Sequence, residues 1–544
     1  MKLNYKRTFY IGIVFFIISM FWQTYDMMIA RTLIDKYGLT QTWSGIVMAL
    51  DNIMAVFLLP LFGSLSDRSN AKVGRRTPYI IVGTILAAFA FMGLAYADFV
   101  QTEKIKMTDI IESHYNIAFE SVPDEEEKSH WYIVIDSMQE EREQSYADGL
   151  ISRSQYRAWR DHTRDGMISV LDRSGDMLTP RQLYDIKELY YGYLSTRAWE
   201  VTARDPSTLI IFISTLFIAL VSMAIFRSPA VALMPDITIK PLRSKANAII
   251  TFMGAVGGIL GVYIIMLSGL NKHAYDHHAS IYISIGIIML AALGVFLWKV
   301  REPEWVKDRL DLEKQLNLLE KEDVKERPKA KRRMFTKAAL SKRKRTSLYF
   351  LLISIFMLFM GYNAVMSKLS DYLPKVLNMN YFDFPFIVAQ ALVIAMIVPV
   401  GILSLKLGRK NTIVLGMIIV LLSFGSIYFL KERQGWLTAF IVFCAGVGWS
   451  MISINTYVMV VELESGGNAG LYTGYYYSAS MSAQIATPII SGILMDRYGR
   501  LLLFPYATLF VLLALIAFFF VKEGDANKAH RRLFHKLSTK KVSL

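Results

Sequence analysis

The chain has 544 residues, of which 54% are hydrophobic and 19% charged, and its mean hydropathy is +0.35. An average soluble domain carries roughly a quarter charged residues, so this composition excludes a disordered chain, a collagen and a disulfide scaffold. One cysteine, Cys444, excludes an internal disulfide and a cysteine-built zinc site within one chain. The net charge of +15 would suit nucleic acid, but its distribution argues against that: residues 98–206 hold 22 acidic and 13 basic side chains. The positive excess lies in short segments between apolar runs, as in the cytoplasmic loops of a polytopic membrane protein.

Apolar runs of bilayer length, about 20 residues, are read near 9–30, 43–65, 78–97, 208–234, 246–269, 280–300, 347–370, 384–405, 412–430, 435–460, 470–494 and 501–521. The first carries Gln23 and Asp26 and no small-residue cleavage site follows, so no signal peptide is expected there. Lys6, Arg7, Arg75, Arg76, Arg243, Lys245, Arg409 and Lys410 fall on one side if both ends of the chain are cytoplasmic. Residues 301–345, with 16 basic and 9 acidic side chains, fall there too. The acidic 98–206 segment falls outside, and Arg497 and Arg500 in the last outer loop break the pattern. The division is then 1–97 (spans one to three), 98–206 (outer insert), 207–300 (spans four to six), 301–346 (basic linker), 347–521 (spans seven to twelve) and 522–544 (basic tail). The insert is too long for a plain loop, and stretches such as Gln182–Tyr193 read as helix, so a small helical cap is expected. The basic clusters at 331–333 and 342–345 read as topology determinants touching anionic lipid.

The halves echo each other. Gly63-Ser-Leu-Ser-Asp67-Arg68, then Gly74-Arg75-Arg76, follows span two. Gly401-Ile-Leu-Ser-Leu405-Lys406-Leu-Gly408-Arg409-Lys410 follows span eight, and Gly401 lies 338 residues after Gly63. The starts of spans one and seven are also about 338 apart, as two parallel repeats require. In this six-plus-six setting the first loop resembles the signature loop of the major facilitator superfamily. The resemblance implies an all-α membrane protein of twelve helices in two six-helix halves. Tyr25-Asp26, Asp51-Asn52, Arg227 through Asp236, Pro241 through Asn247, Gly361-Tyr-Asn363 and Trp449 through Glu462 resemble, more narrowly, its sucrose and maltose symporter branch. That branch implies proton-coupled uptake of an α-glucoside disaccharide. The sodium–melibiose group carries two carboxylates four apart in its second span; here Asp51 is followed by Ala55, which favours H⁺ and leaves Na⁺ open.

Arg227 lies deep in span four, where an uncompensated arginine costs at least roughly 2.5–3.5 kcal/mol. It is expected to hold a sugar hydroxyl or an acid whose proton it controls, against the alternative of a fixed ion pair. Asp26 and Asp51 are the candidate acids. Burial favours a neutral carboxyl and a nearby arginine favours its charged form, so a carboxyl that gains and loses Arg227 can carry a proton. Trp22 lies one turn before Asp26, and a ring beside an acid suits a sugar. Asp51 is favoured as proton carrier and Asp26 as sugar ligand, with Tyr25, Asn363, Asn455, Tyr476 and Gln484 as further substrate contacts. Tyr476, Ser480, Gln484 and Pro488 form one row on span eleven. Asp67, Arg68, Gly74, Arg75 and Arg76 read as a gate whose charge contacts form in one state and break in another. Lys368 and Asp371 read as a local salt bridge. No nucleotide loop, nucleophile elbow or metal-ligand motif is found, so no enzyme and no cofactor beyond the coupling ion is expected. The expected partners are a small sugar and the bilayer, around a monomer in a cell membrane, a bacterial cytoplasmic membrane being favoured. An exporter of the same superfamily and a non-transporting receptor using the insert are the competing readings.

Overall fold

The computed structural model describes residues 4–105, 126–238, 243–268, 277–315, 342–377, 379, 384–430, 434–463 and 469–522. The clusters at 331–333 and the tail after 522 lie outside these residues, as does the side chain of Asn247. The first three helices are α1 (Tyr5–Asp35), α2 (Gln41–Asp67) and α3 (Thr77–Ile105). The insert adds α4 (Glu127–Ala147), α5 (Arg153–Trp159), α6 (Asp165–Asp172) and α7 (Pro180–Arg204). Then follow α8 (Ser207–Ile237), α9 (Arg243–Leu267), α10 (Ala279–Lys299) and the linker helix α11 (Glu302–Gln315). The second half is α12 (Lys342–Leu377), α13 (Phe384–Leu407), α14 (Arg409–Ile427), α15 (Gly435–Glu462), α16 (Ala469–Tyr498) and α17 (Leu503–Phe519).

Eleven of these are long and apolar enough to cross a membrane. α13 stands where the remaining run was read; its 24 residues span about 36 Å at 1.5 Å each. α3 continues to Ile105, past the end read at 97, because its last turns are buried and bonded. Lys36 meets Asp98 at 2.5 Å and Thr102 at 3.0 Å, and Gln101 donates to the Lys36 carbonyl at 2.9 Å. Such pairing is what allows a carboxylate to sit 0% exposed beside the bilayer ends.

Packing repeats between the halves. In the first, α1 packs on α9, α3 on α8 and α10, and α2 on α8. In the second, the corresponding α12 packs on α16, α14 on α15 and α17, and α13 on α15. The halves meet where α2 lies along α16, α9 along α13 and α1 along α12. Small residues permit the closest of these approaches. A Cβ at Gly45 would run into the Pro488 carbonyl, and one at Gly492 into the Gln41 carbonyl. The insert is helical and has its own apolar core, with Trp131, Val134, Met138, Met167, Leu171 and Tyr190 buried.

Candidate functional site

The central site sits about halfway along the spans. On α1, Trp22 lies thirteen residues before Asp35; on α12, Asn363 lies twelve before Lys375. Lys375 and Asp35 pair at 2.5 Å, so Trp22 and Asn363 stand at one depth in opposite halves. The Arg227 guanidinium of α8 lies 5.6 Å from the Trp22 ring centre, within cation–π range. Trp22 in turn meets Tyr25 edge to face at 5.3 Å. Asp51, Asp26 and Tyr477 are all within electrostatic reach of Arg227. Asp51 accepts a hydrogen bond from Asn52 at 2.7 Å. Asp26 is exposed and Asp51 and Arg227 are half-buried, although all three are mid-helix. Ionisable groups at this depth face one another or the bundle interior rather than lipid.

Among the described residues, two buried donors here, Trp22 Nε1 and Tyr25 Oη, have no hydrogen-bond partner, nor does Asn363 Nδ2 at the same depth in the other half. A buried donor without a partner costs about 1–3 kcal/mol, which a hydroxyl-bearing solute would relieve. Tyr477 was not singled out from the sequence. Its neighbour Tyr476 was, yet Tyr476 is 9% exposed and packs edge to face on Tyr457 and Tyr477, while Tyr477 is 50% exposed. The row through Tyr476 faces the protein; Ser480 is 2% exposed and Gln484 half-buried. Asn455 is committed to packing, bonding Ser404 and the Met451 carbonyl at 2.8 Å. Gln390 lines a cavity of about 220 Å³ between the halves with Ser19 and Gln23. It also lines a cavity of about 100 Å³ with Tyr362 and Trp449, whose rings stack at 3.7 Å.

At the insert end, charged groups tie the halves together. Asp371 is met by Lys375 at 2.5 Å and by Arg500 at 2.8 Å. Gln41 of α2 donates to Asp371 at 2.9 Å and accepts from Lys368 at 2.8 Å. Asp496 accepts from the Gln41 and Thr42 backbone amides, both at 2.8 Å, and so caps the first turn of α2 from the other half. The local pair expected between Lys368 and Asp371 is instead two links in this lattice. Arg500, an exception to the loop-charge pattern, is its hub, and Glu188 of α7 holds the guanidinium's other edge at 2.6 Å.

At the linker end, the signature loop binds within the first half. Arg75 pairs with Asp236 at 2.5 Å, and Arg76 pairs with both Asp236 and Asp67. Glu302 accepts from the Arg76 and Thr77 amides at 3.0 and 2.8 Å, capping α3. Gly74 has φ +113° and faces Glu302 where a Cβ would be, so only glycine fits without strain. Arg68 is exposed. From Asp51 to Leu65 no residue of α2 is buried, whereas Ser44, Gly45, Val47, Met48 and Ala49 are. The α2–α16 seam is therefore shut at the insert end and parted toward the linker end.

The family model described as Major Facilitator Superfamily matches residues 192–488, more than half of the chain. The chain belongs to this superfamily. It is a multi-pass membrane transporter, not an enzyme. A second model, described as MFS/sugar transport protein, matches residues 11–107. Two curated relatives align over short segments only. The sucrose transport protein SUC4 of Arabidopsis thaliana is 28% identical over 64 residues, 12% of each chain. The general alpha-glucoside permease of Schizosaccharomyces pombe is 30% identical over 60 residues, 11% of each chain. The matched part is thus about an eighth or less of either relative's length. A solved D-xylose–proton symporter matches the superfamily fold with TM-score 0.54 at 13% identity, covering 95% of this chain and 99% of that one. The xylose transporter XylE from E. coli, in its inward open conformation, gives 0.52 at 13% identity, covering 95% of both chains.

Proposed function

We propose that the protein is a proton-coupled symporter that takes up a disaccharide of the α-glucoside class by alternating access. One observation carries this reading: Asp26, Asp51 and Arg227 converge beside the Trp22 ring and the unsatisfied Trp22 Nε1 and Tyr25 Oη. The sugar stacks a C–H face on Trp22 and takes hydrogen bonds from Trp22 Nε1, Tyr25 Oη and Asn363 Nδ2. The names of the two curated relatives, a sucrose transporter and an alpha-glucoside permease, support the substrate class. All three groups lie in the first half, so it is the Arg227 side chain that swings between the acids as the sugar binds and leaves. The carboxyl that loses it takes up a proton, and the one that regains it releases a proton. The basic loops favour cytoplasmic termini and an outer insert, so the described state faces the cytoplasm.

The test is uptake of labelled maltose and sucrose into proteoliposomes with an inward proton gradient. Accumulation that collapses with a protonophore is expected, and Arg227→Ala is expected to abolish it, a loss of at least 100-fold. Wild-type accumulation by Arg227→Ala would sink the mechanism. No accumulation of either sugar by folded wild-type protein would overturn the substrate class.

A further inference from the structure

The insert's longest helix, α7, has two faces. Tyr190, Tyr193, Leu194 and Ala198 are buried in the insert's own core. Glu188, Gly192, Ser195, Thr196 and Trp199 recur at three- and four-residue spacing and so share the other face. Gly192, Thr196 and Trp199 are exposed on it. This face roofs a cavity of about 710 Å³, within the ~300–1,000 Å³ typical of small-molecule sites.

The cavity's floor is apolar and comes from span ends: Ile34, Val47, Leu209 and Ile213. Val47 and Ile213 each lie six residues inside their helices, about 9 Å below the rim. Trp43 and Trp199, 58% and 44% exposed, stand at its sides, as aromatic residues do at a membrane interface. Charge at the rim is already compensated. Glu188 is held by Arg500 at 2.6 Å, and Asp496 by the Gln41 and Thr42 amides. A charged headgroup would lose its hydration here and find no free opposite charge. A neutral head with hydroxyls keeps its hydrogen bonds to Ser195 and Thr196.

Three parts of the molecule build the walls: α1, α2 and α8 from the first half, Met495, Asp496 and Arg500 from the second, and α7 from the insert. The cavity is complete only while the insert end is shut. We propose that it is a second binding site, for an uncharged amphiphile with an apolar chain and a hydroxyl-rich head, and that its occupancy holds the transporter shut at the insert end. A ligand that binds one state alone shifts the population toward it. Occupancy is independent of which solute the central site carries.

The test uses the full chain in nanodiscs free of glycosides, with octyl glucoside bearing a photoreactive group in its alkyl chain, read by peptide mass spectrometry. Labelling is expected to concentrate on segments 34–47, 192–199 and 209–213. It should fall at least tenfold in Gly192→Trp, because a Cβ there meets nothing within 4 Å and the ring fills the cavity. Trp199→Ala, which removes a side chain outside the insert's core and 44% exposed, should lower it severalfold without affecting folding. Octyl glucoside should also slow hydrogen exchange in 38–48, and free glucose should not compete. Label spread over all lipid-facing spans and unchanged by Gly192→Trp would show a lipid annulus and overturn the site. Competition by glucose, or equal labelling by octyl probes with sulfate or trimethylammonium heads, would overturn the ligand class.

Discussion

The two ends of the bundle use charge in opposite ways. At the insert end Lys375–Asp35, Gln41–Asp371 and Asp496–Thr42 reach from one half to the other. At the linker end Arg75, Arg76, Asp236 and Glu302 bind the first half to itself. The insert-end bonds depend on conformation, because their partners separate when the halves part. The linker-end loop can persist through the cycle, since α2, α3, α8 and α11 belong to one body. Buried pairs that must break on opening act as a latch, whose strength comes less from their attraction than from the penalty of leaving one partner alone.

That contrast can be broken at several points. Gly45→Val should have the largest effect, because its side chain meets the α16 backbone at Pro488 rather than a yielding side chain. The insert end should then fail to shut. Nitroxides at Trp43→Cys and Tyr498→Cys, in a Cys444→Ser background, should report a single long distance, and uptake should fall at least 100-fold. Arg500→Gln should come next. It removes the cation from Glu188 and leaves Asp371 with Lys375 and Gln41, a loss below the ~3–5 kcal/mol of a fully uncompensated buried charge. The same spin pair should move from mostly short to mostly long. Glu302→Gln acts at the other end and should lower thermal stability by about 1–3 kcal/mol through the α3 cap. It should leave the insert-end distance unchanged; a shift there would refute the independence of the two ends. Asp67→Asn should be mildest, since Asp67 is exposed and an exposed pair contributes about 0–1 kcal/mol. Turnover should slow a fewfold, with sugar affinity little changed in an equilibrium binding assay.

Much of the frame was legible from hydropathy, because a span must be both long and apolar. The convergence of Asp26, Asp51 and Arg227 was also legible, because charges inside a bilayer have few reasons to be there. The latch was not. Lys368 and Asp371 look self-sufficient at their spacing, and nothing local shows that Gln41, 330 residues away, intervenes between them. Arg500 did leave a trace, as a cation on the wrong side of the charge pattern, whose meaning required its three-dimensional neighbours. Tyr477 and Tyr476 are adjacent on a helix, and only packing decides which one comes within reach of Arg227.

The glycine contacts at Gly45 and Gly492 bear on speed. Where two helices touch backbone to backbone, docking freezes no side-chain rotamers, so it carries little of the ordering cost that side-chain interdigitation brings. The α2–α16 seam can then engage and release without repacking a core, like two smooth rails. Its rate would be governed by how quickly a handful of hydrogen-bonded charges exchange partners with water.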